Sequence, residues 1–219
     1  MKIHHLGEEN SVLNQFMAQI RDVAVQSDRM RFRKNIERIG EILGYELSKT
    51  LKFASHTVTT PLGKKETKLL NSHPVICSVL RAGLALQRGL LNYFDDADNA
   101  FISAYRRHKD GGEVFDIVIE YLSSPSLDGR ILLLADPMLA TGRSLVSAYQ
   151  AMAQLGVPEE IHLVAVIGAS EGIAYVGRHF PENTHLWIAA IDDTLNAKGY
   201  IVPGLGDCGD LSYGIKLQH

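Results

Sequence analysis

Five short, almost wholly apolar runs set the narrowest limits on what this chain can fold into: residues 75–80, 100–104, 131–135, 161–167 and 185–191. A strand with one face in water alternates polar and apolar residues, so continuous apolar runs describe strands buried on both faces. Between them, 84–93, 143–155 and 171–179 carry apolar residues at helical spacing. Strand and helix in alternation give an α/β fold, a parallel, Rossmann-like sheet with helices on both faces. Ligands of such sheets collect at the carboxyl ends of the strands, so the chemistry is expected immediately after the apolar runs.

Upstream of this pattern, 11–25 place Val12, Leu13, Phe16, Met17, Ile20 and Val23 at helical spacing, and 28–51 continue it with Phe32, Ile36, Ile39, Leu43 and Leu47. Two amphipathic helices therefore open the chain, over about 10–52. The segment from about 56 to 70, with a β-branched start and a Pro61-Leu62-Gly63 turn, reads as a hairpin outside the main sheet. At 219 residues, without repeats or a Gly/Ser linker, one domain over 1–219 is expected. A net charge of -3 supplies no field for long nucleic acid but does not exclude a small anion held by a few arginines. Cys77 and Cys208 are too few and too far apart for a disulfide framework, which points to a reducing, cytoplasmic compartment. No apolar run has the length of a membrane span, and the polar start lacks a signal-peptide pattern. His4 and His5 have no third ligand at usable spacing and read as solvated terminal histidines.

The run 131–135 feeds directly into Asp136-Pro137-Met138-Leu139-Ala140-Thr141-Gly142-Arg143-Ser144, after which Leu145, Ala148 and Met152 resume helical spacing. Hydroxyls, an unobstructed glycine and free helix-start N–H groups are the combination that binds a phosphate dianion. Asp136, at the strand tip, can accept hydrogen bonds from a ribose diol. The run 75–80 ends in Leu80-Arg81-Ala82-Gly83, where a guanidinium fork suits a second phosphate group. Residues 100–104 run into Tyr105-Arg106 and a cationic stretch closed by Gly111-Gly112.

Near the C-terminus, Gly204-Leu205-Gly206-Asp207-Cys208-Gly209 has the spacing of a dinucleotide fingerprint. Only ten residues follow Gly209, so the strand and acidic residue that motif needs have no room. With its flanks it reads instead as a glycine-rich loop, Tyr200 to Asp210, whose backbone can present N–H and C=O groups to a flat ring.

Taken in order, the four loops resemble those of the type I phosphoribosyltransferases, and Asp-Pro-Met-Leu-Ala-Thr-Gly has the form of the uracil-specific branch. The resemblance spans essentially the whole chain. It implies transfer of ribose 5-phosphate from phosphoribosyl pyrophosphate (PRPP) to uracil, giving UMP and pyrophosphate in pyrimidine salvage. It assigns PRPP to Arg81, Arg106, Asp136, Pro137, Met138, Leu139, Ala140, Thr141, Gly142, Arg143, Ser144 and Asp207. Uracil falls to Ile201, Gly206, Asp207 and Cys208 in a hood over about 192–212. Arg81, Arg106 and Asp207 are the implied catalytic residues. Magnesium is expected as cofactor, held mainly by PRPP and water rather than by protein ligands. A homo-oligomer, dimer or tetramer, is expected, with GTP a candidate effector and neither nucleic acid nor membrane as partner. The chain departs from the branch at Arg143, where glycine is usual, at Cys208, usually alanine, and at Leu211, usually basic. Competing readings are an RNA-binding or nucleotide-sensing regulator on the same fold, a phosphoribosyltransferase for another base, and an inactive homologue.

Overall fold

The apolar runs pair side by side in the computed structural model, which describes residues 1–108 and 115–216, and only the backbone across 104–108 and 115–118. In chain order the elements are β1 (Lys2–His5), α1 (Val12–Arg21), α2 (Arg29–Ser48), β2 (Phe53–Thr60), β3 (Gly63–Leu70), β4 (Val75–Leu80), α3 (Gly83–Leu91), β5 (Asp98–His108) and β6 (Phe115–Ser123). They continue as β7 (Ile131–Ala135), β8 (Met138–Leu139), α4 (Arg143–Met152), β9 (Glu160–Ala169), α5 (Ser170–His179), β10 (His185–Asp192), β11 (Thr194–Leu195), β12 (Ile201–Val202) and α6 (Cys208–Tyr213). The main sheet runs β1-β10-β9-β7-β4-β5-β6, with β8 also paired to β9. All its pairings are parallel except β5 with β6.

Burial on both faces explains the apolar runs. In β7, Ile131, Leu133 and Ala135 enter the core that α1, α2 and α3 cover, while Leu132 and Leu134 enter the core under α4 and α5. Fully burying each such leucine or isoleucine side chain contributes about 1.5–3 kcal/mol. Ser11 caps α1 by accepting from the Leu13 N–H, and Asp28 caps α2 by accepting from the Arg31 N–H, which separates the two helices at residues 22–28. Helix α3 lies so close on α2 that a Cβ at Gly89 would meet the Glu37 carbonyl oxygen at 2.1 Å. That contact fixes the helix leaving the Arg81 loop.

The β2–β3 hairpin forms its own two-stranded sheet, as expected, and begins at Phe53. The second helical pattern ends at Ser48, and Val23 lies beyond α1 and is exposed. The expectation of solvated terminal histidines is corrected for His4. Residues 2–5 add a strand to the sheet edge beside β10, and the His4 ring stacks on Trp187 at 3.7 Å and bonds His185. Among the described residues no group of histidine, cysteine and acidic side chains has the makings of a metal site.

Candidate active site at the strand tips

Strand β4 leads to β5 on one side, whereas β7 leads through β9 to β10 on the other. The chain order therefore reverses between β4 and β7, the place where an open α/β sheet leaves a crevice for ligand. Ser78 of β4 pairs with Ala135 of β7, so Arg81 and Asp136 leave neighbouring tips. Packing holds the two loops together: a Cβ on Gly83 would stand 2.8 Å from the Ala135 carbonyl oxygen.

Asp136 is buried at the tip of β7 and its Oδ1 accepts from the Met138 N–H at 3.1 Å, turning the chain toward β8. Asp136, Met138, Leu139, Ala140, Thr141, Gly142 and Ser144 line one small concavity with Leu145. Gly142 stands at the start of α4 with φ +75°, and the Thr141 hydroxyl accepts from the Arg143 N–H at 3.4 Å. First-turn N–H groups of α4 that no helix carbonyl can reach thus face the loop. Pro137 takes part through its backbone, its carbonyl accepting from the N–H groups of Val166 and Ile167. A larger cavity of about 450 Å³ lies elsewhere, between Met1, Ile3, Ile173 and Ile191. Its lining carries no charged side chain and is unsuited to a phosphate.

The C-terminal loop closes over these tips. Ile201 is buried in β12, the Val202–Pro203 bond is cis, and Gly204 and Gly206 have φ +62° and +93°. Asp207 caps α6 through the Asp210 N–H. Burial alone would raise the Asp207 pKa, but the Lys216 ammonium at 2.7 Å and the Asp210 N–H hold it below the usual carboxylate range. Lys216 also reaches Asp210 at 3.5 Å, so its cation stands on the loop's two carboxylates although position 211 holds leucine. Arg81 donates to Asp210 at 3.3 Å and to the Gly214 carbonyl at 2.9 Å. The Cys208 N–H meets Met138 Sδ at 3.3 Å, which ties the C-terminal loop to the phosphate loop.

The structure therefore brings together Arg81, residues 136–144, Ile201 and residues 206–208. Arg106 lies on β5 opposite Ile117, and its side chain is outside the described part of the structure. The cationic stretch at 109–112 also falls outside the described residues. Burial drives the Cys208 thiol above the range of an ordinary cysteine and lifts that of Cys77 to about 12, so neither is a thiolate nucleophile.

Three participants escape sequence reasoning: Arg21, Asp192 and Lys216. Asp192 ends β10, and its place after the last apolar run is the same signal that singled out Asp136. Arg21 and Lys216 carry no such signal, since only the folded chain brings them to the site.

A family model described as uracil phosphoribosyltransferase matches residues 8–215. A uracil phosphoribosyltransferase of Porphyromonas gingivalis is 50% identical over 99% of this chain and 100% of its own length. One of Thermococcus gammatolerans is 34% identical over 96% of this chain and 93% of its own. A solved structure from Aquifex aeolicus superimposes with a TM-score of 0.87 at 30% identity, covering 99% of this chain and 100% of that one. With residues 8–215 matched and the same name on relatives aligned nearly end to end, this chain belongs to the uracil phosphoribosyltransferase family.

Proposed function

We propose that this chain joins uracil to the ribose 5-phosphate of PRPP, releasing pyrophosphate and forming UMP. The observation that supports it best is the convergence of three loops on adjacent strand tips: Arg81 bonded to Asp210, and Cys208 bonded to Met138. In this reading the N1–C1 bond forms as the bond from C1 to pyrophosphate breaks, and the N1 proton passes to the departing pyrophosphate or to solvent. Residues 136–144 take the 5-phosphate on the α4 N-terminus and the ribose diol on Asp136. Fixing both ends of the sugar holds its reacting carbon in place. Negative charge grows on the departing pyrophosphate, where the Arg81 fork and, as the family resemblance implies, Arg106 would stabilise it. Arg81 must exchange its bonds to Asp210 and Gly214 for bonds to PRPP.

Magnesium would be held mainly by PRPP and water, since Asp207 and Asp210 are engaged by Lys216 and Arg81. When bound, magnesium would neutralise pyrophosphate charge. Uracil is read by main-chain groups, with the Ile201 carbonyl accepting from N3 and N–H groups of residues 206–208 donating to O4. Asp207 faces the PRPP side of the base. The Cys208 N–H must then leave Met138 Sδ if it is to serve the base.

The two free, buried cysteines support action in a reducing cytoplasm. Among the described residues no helix is long and apolar enough to cross a membrane. The exposed apolar side chains of the hairpin, Phe53, Val58, Leu62 and Leu69, support a homo-oligomer. The deciding experiment incubates purified protein with labelled uracil, PRPP and magnesium and separates the nucleotides, with GTP added in one arm. UMP forms on this account, and none forms without divalent metal. Failure to form UMP in the complete mixture overturns it.

A further inference from the structure

Asp192 and Arg21 make a cluster of hydrogen bonds that the proposed chemistry does not use directly. The Arg21 guanidinium meets the Asp192 carboxylate in a two-pronged pair, Nη1 to Oδ2 and Nη2 to Oδ1, both at 2.8 Å. Asp192 is nearly buried at the carboxyl tip of β10, and Arg21 ends α1. The same two side chains hold both backbone groups of one hood residue. The Gly204 N–H donates to Asp192 Oδ2 at 2.8 Å, and the Gly204 carbonyl accepts from Arg21 Nη1 at 3.0 Å.

Gly204 is the pivot of the hood. It follows the cis Val202–Pro203 bond, has φ +62°, and packs so tightly that a Cβ would stand 2.1 Å from the Ile201 carbonyl oxygen. That carbonyl is the group proposed to accept from N3 of uracil. Two residues beyond lies Gly206, and then Asp207 and Cys208. The backbone on both sides of the pivot is thus the backbone that faces the base. Gln26 adds a brace from the turn after α1, donating to the Arg21 carbonyl at 2.9 Å.

We propose that Arg21 and Asp192 are positioning residues for base recognition: together they clamp Gly204 and so set where the Ile201 carbonyl and the 206–208 N–H groups stand. This inference rests on the uracil reading above. A backbone that reads a base with its own N–H and C=O groups cannot correct a displacement by changing rotamer, so its aim depends on what anchors it. The clamp's hydrogen bonds join its two side chains to each other and to Gly204, on the base side of the cleft. Loosening it should therefore weaken uracil binding and leave PRPP binding alone.

The test measures KM for uracil and for PRPP, kcat, and the uracil-to-cytosine ratio of kcat/KM in Asp192→Asn and Arg21→Lys. Losing charged hydrogen bonds of this kind raises uracil KM about 10-fold to 100-fold, with PRPP KM within about threefold of wild type. The ratio over cytosine falls alongside. Arg21→Lys keeps the charge and the helix while losing the fork, so it serves if Asp192→Asn does not fold. A pair that only braced the fold would lower the melting temperature and shift both KM values together or neither, and either pattern overturns the clamp. If wild type itself makes no UMP, the uracil reading fails; if wild type makes UMP and Arg21→Lys keeps its uracil KM, only the clamp fails.

Discussion

Gly142→Ala puts the phosphate loop under a load that can be worked out from its surroundings. The residue has φ +75°, and holding a non-glycine residue there costs about 1–2 kcal/mol. Its new Cβ would stand 2.7 Å from Val176 Cγ2, 2.8 Å from the Gly172 carbonyl oxygen and 3.3 Å from Tyr175 Cδ1, all on α5. Val176 can turn aside, but a helix carbonyl cannot. Helix α5 is itself seated against the loop, since a Cβ on Gly172 would fall 1.9 Å from the Ala140 carbonyl oxygen. Overpacking of this kind adds about 1–3 kcal/mol, for a total of about 2–5 kcal/mol. In a protein of this size that lowers the melting temperature by about 4–20 °C. What relieves the clash is movement of Thr141 and the start of α4 away from α5, so PRPP KM rises about tenfold or more while uracil KM changes less. Gly129→Ala separates the two causes, because Gly129 has φ +66° with nothing within 4 Å of an added Cβ. It should lose only the backbone contribution, about 1–2 kcal/mol, and keep its PRPP KM. Steady-state kinetics and thermal melts of both variants decide the matter. A Gly142→Ala enzyme with wild-type PRPP KM, or one no less stable than Gly129→Ala, refutes the steric argument.

Acid should destabilise the protein through His162, whose pKa is drawn from 6.5 to about 3 by burial first and then by His185 and His4; its Nδ1 accepts from the Trp187 indole, and a proton there would set two donors face to face. The folded pKa lies below the unfolded one, so this stability is whole above pH 6.5 and lost below it: about 2 kcal/mol at pH 5, a melting fall of about 4–8 °C followed by Trp187 fluorescence, and His162→Asn with undiminished acid sensitivity would contradict it. Arg106→Ala should lower turnover by roughly 100-fold to 1000-fold, the scale for removing one charge-stabilising donor, with uracil KM little changed. A wild-type rate would remove Arg106 from the pyrophosphate side. Iodoacetamide at pH 8 should leave native Cys77 and Cys208 unmodified by intact mass, and rapid alkylation would show that they are less shielded than the fold indicates.

The sheet was legible because its strands are buried on both faces, which leaves an unbroken apolar run with a site residue at its end. Arg81 and Asp136 stand where that rule looks, and the family resemblance supplied their roles. β1 was hidden because Lys2–His5 is polar, and it is stabilised by pairing and by His4 stacked on Trp187, a contact no local pattern reveals. β6 is an antiparallel edge strand with polar residues, outside the parallel pattern. Uracil itself came from the family resemblance, since a glycine-rich loop shows that backbone is presented but not to which base. Arg21 belongs to an amphipathic helix by sequence and to the hood only by folding, where it meets Asp192 across 171 positions of chain. Lys216 similarly carries no motif in the sequence and meets Asp207 and Asp210 only in the fold.

The central claim is that uracil is recognised by backbone groups of the hood, and its most direct test is the ratio of kcat/KM for uracil over cytosine in wild type and in Cys208→Ala. Cytosine presents an acceptor and a donor where uracil presents a donor and an acceptor, so it would leave both hood groups buried and mismatched. A ratio of about 10⁴ or more is expected in wild type. Because the Cys208 side chain is buried away from solvent and the reading is by main chain, Cys208→Ala should preserve that ratio. Efficient use of cytosine by wild type, or collapse of the ratio in a folded Cys208→Ala enzyme, would contradict the account.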